Sequence, residues 1–165
     1  MAEGQAGLTP YESLEEYMLT HCSVCMEKAD MTRLDGYYRL YPSGFGMIAI
    51  NSKLSEADAT CVAYHEAGHH HTMIDAHIAK TEARADRWAA KKLVPVHKLI
   101  DALQAGCTNV YEAAEYLKVS EKFLYKTLDI YQKVHGDYIG HGNWTLWFKP
   151  LMAHDYLADE VYPLE

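Results

Sequence analysis

The feature that most constrains this chain is the pentapeptide HEAGH at residues 65–69, which has the form H-E-x-x-H. The surrounding residues favour a helix, on which positions i and i+4 lie on the same face. His65 and His69 can therefore direct two imidazole nitrogens to one metal ion, and zinc is the expected metal. Glu66 follows the first histidine and is placed to act as general base on a water at the open coordination position. This combination is typical of zinc peptidases.

Histidines are frequent in this chain, with 10 among 165 residues, so a chance match on a surface helix is the competing interpretation. His70 and His71 extend the cluster. On a helix they lie about 100° and 200° away from the His65 and His69 face. We therefore predict that they are rim or surface groups, and a third metal ligand must come from elsewhere in the chain.

The third ligand is predicted on a second helix, over about residues 81–93, which Pro95 ends. Glu82 and Asp86 lie one turn apart on this helix. Glu82 is the candidate third ligand, because its carboxylate completes a His₂Glu set. Asp86 is predicted to accept the free N–H of a ligating histidine, which is the usual support for such a ligand.

Two alternatives to this assignment stay open. Glu82 and Asp86 could instead pair with Arg87 or Lys91 on a solvated helix face. Asp75, six residues after His69, competes for the role of third ligand. That offset belongs to the H-E-x-x-H-x-x-G-x-x-H class, although Thr72 stands here where that class has its glycine.

The pattern of the whole chain predicts an α+β fold that resembles zincins. Turn signals at residues 35–36 and 42–44 separate three short apolar runs, which predicts a small antiparallel three-stranded sheet beside the metal-binding helix. The C-terminal half is predicted to be helical over about residues 96–136. We expect one metallopeptidase domain over residues 1–136, followed by an aromatic-rich tail, residues 137–165, that packs on the domain or on a partner.

Composition and charge argue against several classes of protein function. The net charge of −8 argues against a protein that coats nucleic acid. The helices predicted over residues 108–135 resemble a helix-turn-helix motif in sequence. Because they lack a basic face that could bind phosphates, they are better explained as structural helices. No apolar run has the length of a membrane helix, and the N-terminus does not have the pattern of a secretory signal. A cytoplasmic protein is expected.

The cysteines offer a second, weaker pattern. Cys22 and Cys25 form a C-x-x-C next to His21, which is compatible with half of a zinc site or with a redox pair. The other two cysteines, Cys61 and Cys107, are isolated in the sequence and do not supply the other half. Small, partly apolar residues at the start of a strand are therefore the preferred interpretation.

Several segments together resemble the ImmA/IrrE metallopeptidase family. They are residues 48–51, 54–55, 61–69, 82–89, 93–95 and 111–120. The resemblance covers about residues 10–135, with order and spacing kept, and it ends before the aromatic-rich tail. The combination of these segments is far more specific than H-E-x-x-H alone.

The resemblance implies zinc-dependent cleavage of a cytoplasmic helix-turn-helix repressor. It also implies a prophage or mobile-element setting, in which the protease acts as an anti-repressor. It assigns His65, His69 and Glu82 as ligands and Glu66 as base. No separate DNA-binding or sensor domain is evident, which favours a stand-alone protease without direct contact to nucleic acid or membrane. The alternative is a metal-stabilised module that sequesters a repressor without cutting it, for which Glu66 would not be needed.

Overall fold

The computed structural model describes residues 7–72 and 78–164. These residues form six helices and two sheets. In chain order the elements are α1 (Pro10–Cys22), β1 (Val24–Ala29), β2 (Gly36–Leu40), β3 (Gly46–Asn51), α2 (Glu56–His71), α3 (Ile78–Leu93), α4 (Val96–Gln104), α5 (Val110–Leu117), α6 (Glu121–His135), β4 (Tyr138–His141), β5 (Trp144–Phe148), β6 (Leu151–Asp155) and β7 (Glu160–Pro163). The α+β class predicted from the sequence is confirmed.

The first sheet has the order β1-β3-β2 and is mixed. Strand β3 pairs parallel with β1 and antiparallel with β2, so the predicted all-antiparallel sheet is wrong. The physical reason lies in β3, where Ile48, Ala49 and Ile50 are all fully buried. A strand that is apolar on both faces belongs in the centre of a sheet, whereas the half-exposed β2 suits an edge.

Helix α2 lies against this sheet and presents small residues to it. Its N-terminus is fixed by Ser55, whose hydroxyl accepts a hydrogen bond from the Asp58 backbone N–H at 3.1 Å. Ala63 and Ala67 are fully buried in the core that α2 shares with α1, β1 and β3. The small side chains let α2 approach its neighbours closely, which brings residues of other elements within reach of its histidines.

Helix α3 packs so tightly on α2 that glycine is required at position 68. A Cβ atom on Gly68 would lie 2.6 Å from the Ala85 carbonyl oxygen and 2.8 Å from the Ala85 Cα. Both of these are backbone atoms, which do not move aside cheaply. The close approach at Gly68 places the first turns of α3, with Glu82 and Asp86, beside the histidines of α2.

The C-terminal half is not helical throughout. The helices predicted over about residues 96–136 are present as α4–α6. After α6 the chain forms a four-stranded antiparallel sheet, β4-β5-β6-β7, in the aromatic-rich tail, for which no strands were predicted. Leu146, Phe148 and Leu151 of this sheet belong to the same buried core as Leu99 and Leu128 of the helices. The sheet forms because its apolar side chains cover the helical layer α4–α6. None of the helices in the described part of the chain is long and apolar enough to cross a membrane.

Candidate metal centre

The two motif histidines direct their Nε2 atoms towards each other. The distance between His65 Nε2 and His69 Nε2 is 3.1 Å, and both side chains are 22% exposed. Glu66 lies between them in the sequence and is buried, with 9% of its surface exposed. Helical spacing alone accounts for the alignment of the two rings, since residues four apart lie one above the other.

Glu82 of α3 closes the group. Its Oε2 lies 3.2 Å from His65 Nε2 and its Oε1 lies 3.3 Å from His69 Nε2. Ligands of a tetrahedral zinc ion at 2.0–2.1 Å are separated from one another by roughly 3.3 Å. The three side chains therefore fit a four-coordinate metal site with one open position. Their roles as ligands stay a prediction.

Asp86 contacts the other face of His65. The His65 Nδ1–H donates a hydrogen bond to Asp86 Oδ1 at 2.7 Å. A neutral imidazole carries one N–H, so this bond leaves Nε2 of His65 with a free lone pair on the side of His69 and Glu82. The carboxylate thus holds the ring in the tautomer and orientation that a metal ligand needs.

Lys126 of α6 adds a contact that the sequence did not predict. Its Nζ donates a hydrogen bond to Asp86 Oδ1 at 2.6 Å, across 40 residues of sequence. No local pattern marks this lysine, because its partner lies on a different helix. Among the described residues, the ion pairs of Glu82 and Asp86 are with His65, His69 and Lys126, and Arg87 instead donates to the Ala83 carbonyl.

Burial and neighbouring charges shift the pKa values of these groups. Burial raises the pKa of Glu66 above its usual range, with the His65 charge opposing the shift. Burial also acts to raise the pKa of Asp86, but the hydrogen bonds from His65 and Lys126 outweigh it and the pKa is lowered. For His65, burial acts to lower the pKa, and the contact with Asp86 overrides it and raises the pKa. A carboxylate partner of this kind makes the imidazole a more basic ligand.

A cleft of about 640 Å³ opens onto the group. Its walls include Tyr37 and Tyr38 of the edge strand β2, together with Glu66 and Glu82. The Tyr38 hydroxyl lies 2.9 Å from His70 Nδ1, so His70 contacts a residue of the cleft wall. Asp75, the residue that competes for the role of third ligand, lies outside the described residues.

The fold and the site together define a metallopeptidase arrangement, in which an H-E-x-x-H helix meets a carboxylate from the next helix beside a small sheet. The profile of the family described as Peptidase_M78, IrrE N-terminal-like domain, matches residues 24–129. The chain belongs to this metallopeptidase family, and the predicted ImmA/IrrE resemblance is confirmed. The match includes the first sheet and α2 to α5, and it ends before β4–β7. Comparison with curated proteins and with solved structures gave no match.

Proposed function

We propose that this chain is a zinc-dependent metalloendopeptidase that cleaves a helix-turn-helix repressor of a prophage or mobile element. The observation that carries the proposal is the convergence of His65, His69 and Glu82 within 3.1–3.3 Å of one another. Two imidazoles and one carboxylate suit zinc among the common divalent metals. The family supports the peptidase class, and the repressor substrate rests on the ImmA/IrrE resemblance.

In this mechanism Glu66 is the group that moves protons. When bound, zinc polarises the scissile carbonyl and lowers the pKa of water at its open position. Glu66 accepts a proton from the attacking water and then delivers it to the amine of the leaving peptide.

The other residues orient the reacting groups. Asp86 fixes the ring of His65 through the 2.7 Å hydrogen bond, and this keeps Nε2 directed at the ligand position. The cleft of about 640 Å³ leaves room for a peptide segment beside Glu66. A repressor substrate also implies that the protease acts in the cytoplasm, where such a repressor binds its operator.

Co-expression with the repressor encoded in the same mobile element tests this proposal. We expect the wild-type chain to convert the repressor into two fragments and Glu66→Gln to slow cleavage by about 10²–10⁴-fold, since an amide cannot accept the proton. The matched control is Glu56→Gln, an exposed change in the first turn of the same helix, which should cleave normally. Fragments would be followed by immunoblot and mass spectrometry.

The same experiment separates the peptidase from a binding module. If the repressor is inactivated but remains intact, and Glu66→Gln inactivates it equally well, the chain acts by sequestration. If Glu66→Gln cleaves at the wild-type rate, Glu66 is not the base and the mechanism is wrong. Loss of cleavage with retained metal and retained fold is the outcome that the proposal requires.

A further inference from the structure

A second group of metal-ligating side chains lies where α1 and α2 end. Cys22 is the last residue of α1, and His70 and His71 are the last two residues of α2. Each offers one ligand atom, and these atoms lie within 4.8 Å of one another. The Cys22 Sγ is 4.0 Å from His71 Nε2. This group shares no residue with the group of His65, His69 and Glu82.

Neighbouring aromatic residues hold both histidine rings in place. The Tyr38 hydroxyl contacts His70 Nδ1 at 2.9 Å, which leaves Nε2 of His70 as the nitrogen available to a metal. A contact through the second ring nitrogen is the usual way in which a ligating histidine is oriented. The ring of His71 stacks on Trp88, with centroids 4.6 Å apart and an interplanar angle of 16°. Binding therefore requires little additional ordering of these rings.

The backbone separates the two cysteines of the C-x-x-C motif. Ser23 follows α1 with φ of 53°, in the left-handed region, and this turn directs the chain into β1. Cys25 then lies in the β1–β3 ladder opposite Met47. Cys22 joins the two histidines and Cys25 is not part of the group. The motif thus contributes only Cys22 to this group, and α2 contributes the two histidines.

From this arrangement we propose that Cys22, His70 and His71 form a second metal site, which binds Zn²⁺ through one thiolate and two imidazoles. A sulfur and two nitrogens suit zinc and disfavour magnesium and calcium, which prefer oxygen ligands. Zinc requires ligand atoms closer together than 4.8 Å, and small movements of these side chains supply the difference. Binding converts the Cys22 thiol to a thiolate and releases its proton to solvent.

Cobalt(II) titration of the metal-free protein tests the second site independently of peptidase activity. The thiolate of Cys22 gives a sulfur-to-cobalt charge-transfer band in the near ultraviolet, whereas His65, His69 and Glu82 contain no sulfur. We expect the wild-type chain to show this band and to bind about two Zn²⁺ ions per chain when zinc displaces cobalt. Cys22→Ser should abolish the band and remove one of the two ions.

Three further variants test whether the band and the second ion depend on this group of residues. Cys25→Ser is the matched control, since it changes the other thiol of the same motif, and it should keep both the band and two ions. His71→Ala, at an exposed position, should weaken or abolish the band without unfolding the chain, as checked by circular dichroism. The double variant His65→Ala, His69→Ala should lose the other ion and keep the band, so failure of the catalytic site and failure of this site give different results.

The proposal is overturned if the folded wild-type chain shows no thiolate band. It is equally overturned if the band survives in Cys22→Ser, or if Cys25→Ser removes it as completely as Cys22→Ser does. In the last case the two cysteines would bind the metal together and α2 would not contribute as proposed.

Discussion

Glu82 and Asp86 lie one turn apart on α3 and contact different nitrogens of the same histidine. Glu82 approaches His65 Nε2 at 3.2 Å, while Asp86 accepts the hydrogen bond from His65 Nδ1 at 2.7 Å. In the proposed zinc site, Glu82 would therefore bind the metal and Asp86 would orient a histidine ligand. Substitutions of the two should have different consequences although both remove a carboxylate from the same helix.

We expect Glu82→Ala to lose most of its bound zinc, because a ligand is removed from the metal itself. Asp86→Ala keeps all three ligands and should lower metal affinity or activity by roughly 10–100-fold. Competition with a chromogenic chelator measures both affinities. Asp75→Ala is the control and should retain its zinc. Loss of zinc in Asp75→Ala with full retention in Glu82→Ala would assign the third ligand to Asp75.

Lys126 contacts Asp86 from a third helix, and it should contribute less to metal binding than Glu82 or Asp86. The ammonium group keeps the Asp86 carboxylate ionised, but the lysine side chain is 51% exposed and solvent weakens the pair. We expect Lys126→Met to weaken metal binding by up to about fivefold, as for a partly exposed ion pair worth 0.2–1 kcal/mol. Lys122→Met, one turn earlier on the same helix, should leave the affinity unchanged. Equal effects of the two changes would indicate a general charge effect.

At the scale of elements, the site depends on how closely α2 and α3 approach. Gly68 is an unspecified position of the H-E-x-x-H motif, yet a Cβ there would meet the backbone of Ala85. The contact lies between Glu82 and Asp86 in the sequence of α3. Any substitution that separates the two helices at this point also withdraws the predicted third ligand from the histidines.

We therefore expect Gly68→Ala to destabilise the chain by about 1–3 kcal/mol, despite the better helix propensity of alanine. Metal affinity should fall with it, because Glu82 moves with the α3 backbone. Urea unfolding and chelator competition measure the two effects. Gly140→Ala is the control, since a Cβ at Gly140 meets nothing within 4 Å, and its stability should change by less than about 0.5 kcal/mol. A neutral Gly68→Ala would show that the helices can separate freely.

At the scale of the molecule, the described residues form two buried cores. One joins α1, β1, β3 and α2, and the other joins α3–α6 and Cys61 of α2 with the strands β5 and β6. Tyr64 of α2 packs against both cores, so the helix that carries the H-E-x-x-H motif lies where they meet. The C-terminal sheet is accordingly part of the core of the protein, although the family match ends before it.

Phe148 tests whether the C-terminal sheet contributes to the stability of the whole chain. It is 1% exposed and packs against Tyr131 of α6 with ring centroids 5.7 Å apart. We expect Phe148→Ala to lower the free energy of unfolding by about 3–5 kcal/mol, as for other large-to-small changes in cores. Leu157→Ala, at a site 84% exposed, should change it by less than about 0.5 kcal/mol. If unfolding of the helices is unaffected by Phe148→Ala, the sheet folds as a separate unit.

The sequence by itself determined the local elements of this protein. Thr9, Ser55 and Ser120 cap the N-termini of α1, α2 and α6, and such a cap depends only on residues within one turn of the helix. The same holds for the two histidines of the motif, whose common face follows from helical spacing. Glu82 and Asp86 were predicted as one turn of a helix for this reason.

Only the tertiary structure decided the contacts between distant segments. The parallel pairing of β1 with β3, the Lys126 contact with Asp86 and the approach of Cys22 to His70 and His71 join residues that no local pattern relates. The C-terminal sheet was not predicted from the sequence. In β5 the neighbouring residues Thr145 and Leu146 are both buried, so this strand lacks the strict alternation that marks a strand in a sequence. Its strands are stable because the helical layer covers their apolar side chains. This packing between distant segments exists only in the folded chain.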